Sequence, residues 1–233
     1  MNVFYYCTSS GLTIIENLEI KITPPSELND PFEFYPYPDT ENPTIEDYEQ
    51  ADNFHHASYG MFYFVCFSKN SENPRMWSQY ANNHKGMMIE FDLTKAPFCE
   101  FSEKDYNLIE VYYDQKRIPI SMLNKNPIQM FYKLAKRKGK YWEQEEEVRL
   151  MIADCWIDGK KLKSKEFVQG ENLIKTLELS KESIVSVTLG IRRTDELIRS
   201  VRRLLKTKLP TVKLYQAYRN HSGFSVDRNE LDR

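Results

Sequence analysis

Glycine is scarce, with 8 among 233 residues, and neither G-x-G-x-x-G nor G-x-x-x-x-G-K-[ST] occurs. Both loops need glycine so that backbone N–H groups can close around phosphate, so the two commonest phosphate cradles are excluded. No G-x-S-x-G elbow is present, which removes the corresponding serine-hydrolase turn. The four cysteines, Cys7, Cys66, Cys99 and Cys155, stand far apart without the paired spacing of a zinc site. They read as reduced, mostly buried thiols. Of the four histidines, His55 and His56 are adjacent, which on a helix turns them about 100° apart, and His84 and His221 are isolated. No metal site is expected. A charge excess of one sign is also missing: the net charge is -2, so nothing global draws the chain to nucleic acid or to an anionic membrane. The most apolar run, "MFYFVCF", is too short to span a bilayer, and "MNVFYYCTSS" has no export pattern. A cytoplasmic chain without a membrane partner is expected.

Apolar and aromatic side chains are plentiful, at 41% and 13%, with 15 Tyr and 13 Phe. That is enough to bury a sizeable core, and residues 1–233 read as a single α+β domain. Its predicted centre is a mixed or antiparallel sheet with flanking helices. Strands are predicted at "NVFYYCT", "EIKIT", "MFYFVCFS", "MMIEFD", "LIEVYYD", "SIVSVTLG" and "TVKLYQAYR" from their apolar or alternating patterns. Helices are predicted at "SSGLTIIENLEI" after a serine cap, at "TIEDYEQADNFHHAS", at "NPRMWSQYANNHKG" with Asn73 as cap and Gly86 as stop, at "NPIQMFYKLAKRK", and at "TDELIRSVRRLLKTK". Between residues 24 and 43 six prolines alternate with acidic and aromatic residues, which predicts an ordered but irregular excursion.

The segment with most chemical content is "YWEQEEEVRL", which places four carboxylates within residues 143–147 and then turns apolar. A charge run is usually a hydrated face. Here Val148, Leu150 and Ile152 alternate with Glu147, Arg149 and Met151, the period of a strand with one buried side, so Glu145, Glu147 and Arg149 are expected on one face. Like charges two positions apart repel, and a ligand, a metal or Arg149 would offset that cost. The five basic residues between Lys133 and Lys140 read as a solvated helix face that could steer an anion. "NDPFE" reads as a turn set by Asn29, Asp30 and Pro31 and anchored in the core by Phe32, with Asp30 and Glu33 as secondary candidates for the same cleft. Trp77 and Tyr80 are further candidates, although aromatic residues of this kind more often pack than bind.

"PSELNDPFEF", "FVCFSKNSENPRMWSQYANNHKGMMIEFD", "YWEQEEEVRL" and "IVSVTLG", in this order, resemble a bacterial family described as domain of unknown function 2971. That resemblance implies no activity. A weaker similarity is to mono-ADP-ribosyltransferases, which carry a His, Arg or Tyr on an early strand, a Ser or Tyr on a middle strand and a Glu, often in E-x-E, at the start of a later one. Tyr6, Ser68 and Glu147 occupy that order. The resemblance implies NAD as substrate, with Glu147 stabilising the ribosyl cation and Glu145 orienting the acceptor. It further implies Thr8 holding the carboxamide, Tyr6 and Ser68 binding ribose or phosphate, and Arg149 pairing with a phosphate or carboxylate. A toxin or phage-defence effector acting on a protein or nucleic-acid acceptor would follow. Two alternatives stand beside it: a metal-dependent nuclease using Glu145, Glu147 and Asp114 around magnesium, and a non-catalytic binding or sensing module using the aromatic excursion around Phe32, Phe34, Tyr35 and Tyr37.

Overall fold

In the computed structural model, residues 1–100, 108–123, 126–154, 164–169 and 172–232 are described. Cys155 lies outside them. Eight strands form one sheet in the order β13-β12-β11-β4-β1-β3-β8-β5. They are β1 (Asn2–Cys7), β3 (Phe62–Ser68), β4 (Met87–Asp92), β5 (Leu108–Glu110), β8 (Glu147–Ala153), β11 (Ile184–Leu189), β12 (Lys213–Arg219) and β13 (Val226–Glu230). All neighbours pair antiparallel except β11 and β12, which run parallel, with the helix α5 (Asp195–Lys208) lying between them in the chain. The expected mixed sheet with flanking helices is therefore present. A three-stranded sheet orders β2 (Glu19–Ile22), β10 (Asn172–Glu178) and β9 (Ser164–Gln169), and a short parallel pair joins β6 (Tyr112–Asp114) to β7 (Arg137–Gly139).

The two sides of the main sheet carry different cores. Val3, Val65, Phe67, Ile89, Val148, Leu150 and Val187 pack on one side beneath α1 (Gly11–Asn17) and the apolar stripe Leu197, Val201, Leu204 and Leu205 of α5. The basic residues of α5 lie on its outer face, where the last turn suits cations and the first suits Asp195 and Glu196. On the other side Phe62, Phe64 and Met151 pack with Phe34 and with Phe131 and Leu134 of α4 (Pro127–Ala135). A third cluster gathers Tyr6, Met88, Ala217 and Val226 around Met76 and Trp77 of α3 (Pro74–Gln79).

Several expected boundaries shift. The helix predicted to run to Gly86 ends at Gln79, because Asn82, Asn83 and His84 adopt positive φ. "LIEVYYD" divides at Val111, whose N–H bonds to Glu147 O while Tyr112 leaves to pair with β7. The 133–140 stretch is no basic helix face: α4 stops at Ala135, residues 137–139 form β7, and Lys138 is buried. Glu145 closes a 3-10 helix over Lys140–Glu145, and Glu146 at φ 46 turns the chain before β8 begins at Glu147. The excursion at 24–43 is irregular apart from one 3-10 turn at Pro25–Glu27, and α2 (Ile45–Ala57) follows it with a capping box between Thr44 and Asp47. Phe32 is exposed, and Phe34 anchors the excursion instead.

Candidate functional site

Strand register brings the leading candidates to one sheet face. Ser68 lies directly across from Glu147 on β8 and across from Phe4 on β1. Tyr6, two residues beyond Phe4, points to the same side. A cavity of about 210 Å³ opens there, lined by Phe4, Tyr6, Phe64, Ser68, Tyr80, Glu145 and Glu147 among others. Tyr6 donates its hydroxyl to Asn70 O at 2.7 Å, and Ser68 donates to Glu145 O at 2.7 Å, so both fix the loops at the cavity wall.

Behind this wall lies a buried cluster of five charges. Arg149, with no solvent exposure, donates to Glu147 through Nε at 2.7 Å and Nη2 at 2.9 Å, and its Nη1 donates to Ala135 O at 3.2 Å. Lys138 Nζ donates to Glu145 Oε2 at 2.6 Å and Glu147 Oε2 at 3.1 Å. Glu33, delivered by the NDPFE turn, lies 3.3 Å from Lys138 Nζ and against Arg149 Nη2, although neither contact is an aligned hydrogen bond. Tyr80 donates to Glu145 Oε1 and receives the amide of Asn29 at 2.6 Å. Three carboxylates thus share two cations beside the cavity.

The proton affinities follow from this arrangement. Burial pushes Glu33 up, and the opposing pull of Arg149 and Lys138 does not cancel it. Burial also acts on Glu147, but there Arg149 and then Lys138 overcome it and hold the carboxyl down at about 2. Burial disfavours the Lys138 ammonium, yet Glu147 and Glu33 raise it and keep it charged. Burial and the adjacent Glu145 raise the Tyr80 phenol, so it remains a donor. Cys66 lies across from Arg149 and lines the cavity, and burial followed by the Glu147 charge raises its thiol well above the usual range. It is an inert wall.

Other candidates stand elsewhere. Thr8 is exposed and shares a hydrogen bond with Ser10, away from the cavity lining. Arg149 is committed to internal carboxylates, so a phosphate role would require it to leave them. Asp30 accepts the Phe32 N–H at 3.0 Å, shaping the turn, and lines a different cleft of about 730 Å³ together with Asp114 and Arg137. Trp77 is fully buried, meets Tyr6 edge-on at 5.3 Å between ring centroids and stacks on His84, which makes it packing. Asp114 pairs with Arg137 at 2.7 Å, and the Lys138 ammonium occupies the space between Glu145 and Glu147 where a nuclease cation would sit. Among the described residues no group of three or more His, Cys, Asp or Glu could hold a metal ion, and no helix is long and apolar enough to cross a membrane.

Lys138 is the participant that the sequence concealed. Within "KRKGK" it is one of four cations, and only the three-residue strand β7 turns it inward while its neighbours stay at or near the surface.

The fold and site define a mixed α/β protein with a buried cluster of three carboxylates and two cations against an aromatic-walled cavity. A family model described as "Protein of unknown function (DUF2971)" matches residues 76–150, and the chain is similar to that family over this stretch. The interval contains Tyr80, Lys138, Glu145, Glu147 and Arg149 of the site, while Tyr6, Asn29, Glu33 and Ser68 come from outside it. No curated protein and no solved structure matches the chain.

Proposed function

We propose that the cavity receives the nicotinamide ribosyl portion of NAD and that the protein cleaves its glycosidic bond in a mono-ADP-ribosyl transfer. The observation that carries this reading is the set of three carboxylates sharing two cations beside an aromatic-lined cavity reached by Tyr6, Ser68 and Glu147 from three neighbouring strands. A nicotinamide joined to ribose is a cation held flat by its ring, and a carboxylate-lined site with aromatic walls suits both properties. In the reaction the C1′–N bond breaks, its electron pair leaves with neutral nicotinamide, and positive charge develops on the ribose. Fixed carboxylates stabilise that charge without reorganising. The acceptor then bonds to C1′ and releases its proton.

The roles divide by what each carboxylate touches. Glu147 is pinned by Arg149 and Lys138 and supplies a permanently ionised centre. Glu145 is held by Lys138 through one oxygen and by Tyr80 through the other. A ribose hydroxyl can take the place of the Tyr80 donor, which makes Glu145 the carboxylate that meets substrate. Arg149 serves as internal anchor, and Thr8 has no part.

The test is nicotinamide release from NAD by the purified protein, with Glu145→Gln and Tyr80→Phe beside it, each with and without magnesium. Release that falls at least tenfold in Glu145→Gln and does not respond to magnesium supports the transferase. Absence of release from folded wild-type protein overturns it. One observation favours a second reading, a non-catalytic sensing module: every charged head in the cluster already has a partner inside the protein. Saturable binding of NAD without release supports that reading.

A further inference from the structure

A third pocket, of about 260 Å³, is lined by Pro74, His84, Ile191, Arg192, Arg219 and residues 223–226. It shares α3 with the first cavity, which Met76 lines while Pro74 lines this one. Its electrostatics are opposite. Neither Arg192 nor Arg219 has a carboxylate within ion-pair distance among the described residues. Of the two acids of the adjoining hairpin, Asp227 is engaged by the Asn220 amide at 2.8 Å and Glu230 pairs with Lys213 at 3.1 Å. Both arginines line the pocket with His84, whose imidazolium is disfavoured first by burial and then by these two charges. Like charges converging on one concavity without a counter-ion repel, and an anion relieves that repulsion.

The pocket is fixed in shape. Arg192 N–H donates to His84 O at 2.9 Å and Gly190 N–H to Gly86 O at 2.9 Å, binding the β11 exit to the turn after α3. The β12–β13 hairpin is closed by Asn220 N–H to Ser225 O at 3.0 Å, and the Asn220 side chain receives the N–H groups of Ser222 and Gly223. This ordered tip displays Phe224 entirely in solvent, at 102% relative exposure. The ring is held out by an ordered loop beside the two arginines, and a flat partner stacked on it would bury apolar surface.

We propose that this pocket binds a nucleotide unit, with its phosphate between Arg192 and Arg219 and its base on the ring of Phe224. Arginine forks match phosphate oxygens, and an exposed aromatic ring stacks any base. The same chemistry is offered by a free mononucleotide and by single-stranded nucleic acid. The inference does not rest on the reading of the first cavity, because the two pockets share no lining residue.

The experiment measures binding of a fluorescein-labelled oligothymidylate by anisotropy, and of AMP by calorimetry, to the full chain. Arg192→Gln/Arg219→Gln and Phe224→Ala are compared, all at surface positions whose folding is checked by circular dichroism. At least a tenfold weaker oligonucleotide binding in both variants, with a salt slope reduced by about 0.7 in the double arginine variant as its one phosphate contact is lost, supports the strand source. AMP binding weakened by both variants supports the free nucleotide. Binding of neither ligand, or binding that is indifferent to the arginines, overturns the proposal. Dependence on the arginines without dependence on Phe224, or equal competition by inorganic phosphate, overturns the nucleotide assignment.

Discussion

Lys138→Met keeps most of the apolar stem and removes the ammonium that lies 2.6 Å from Glu145, 3.1 Å from Glu147 and 3.3 Å from Glu33. Three buried carboxylates then face Arg149 alone. Removing one partner of a buried ion cluster typically costs about 3–5 kcal/mol, a large share of the roughly 5–15 kcal/mol that stabilises a domain. With an m-value on the order of 3 kcal/mol/M, the urea midpoint falls by about 1–1.7 M. The pH dependence separates this electrostatic cause from lost packing. Without the ammonium the carboxyls bind protons more readily in the folded state, so the folded variant gains protons relative to wild type as pH falls. Its deficit is therefore largest at about pH 7.5 and narrows towards about pH 5. Combining Lys138→Met with Glu145→Gln removes one of the stranded charges and restores part of the loss. A deficit below about 1 kcal/mol at neutral pH, or one that does not change with pH, would refute the reasoning.

Glu147 and Glu33 act on stability with opposite signs. Held at about 2 against an ordinary 4.5, Glu147 contributes on the order of 3 kcal/mol above its ordinary value, and this is lost as pH falls towards 2. Glu33 is raised, so its contribution is present below its ordinary value and fades as pH rises through its folded value. Urea unfolding against pH should therefore lose its acid limb in Glu147→Gln and flatten on the neutral side in Glu33→Gln. Gly190→Ala places a Cβ 2.2 Å from His84 O, a backbone atom that cannot step aside, and thermal unfolding should show a loss of about 1–3 kcal/mol or more. Burial pushes the Cys7 thiol up to about 12, while Cys99 is exposed. Peptide-mapped alkylation of native protein should modify Cys99 and spare Cys7 until the chain unfolds.

The sequence announced most strands because their apolar periods are local. Asn73 announced a helix start for the same reason, and it makes the expected cap contact. Helix ends depend on subtler backbone behaviour, and Asn82–Asn83 ended α3 before its expected glycine. β9, β10 and β13 passed unrecognised, since "KEFVQ", "NLIKTLE" and "VDRNE" mix polar and apolar residues in patterns a solvated loop also shows. At the site, alternation along β8 correctly placed Glu147 and Arg149 on one face. It placed Glu145 on the strand as well, and that residue reaches the same cluster from the preceding 3-10 helix instead. Glu33 and Lys138 could not be assigned to the cluster from local pattern, because their contacts span long chain separations or depend on a three-residue strand.

Ring selectivity tests the central claim most directly, since a carboxylate-lined aromatic cavity should discriminate by charge among rings of one shape. Binding of the 1-methylnicotinamide cation and of neutral nicotinamide to the wild-type protein, measured by calorimetry, isolates that property from turnover and from any acceptor. The account predicts that the cation binds at least tenfold more tightly, that the preference shrinks in Glu145→Gln, and that it weakens as low pH protonates the cluster. Equal affinity for the two rings, or a preference for the neutral one, would contradict it.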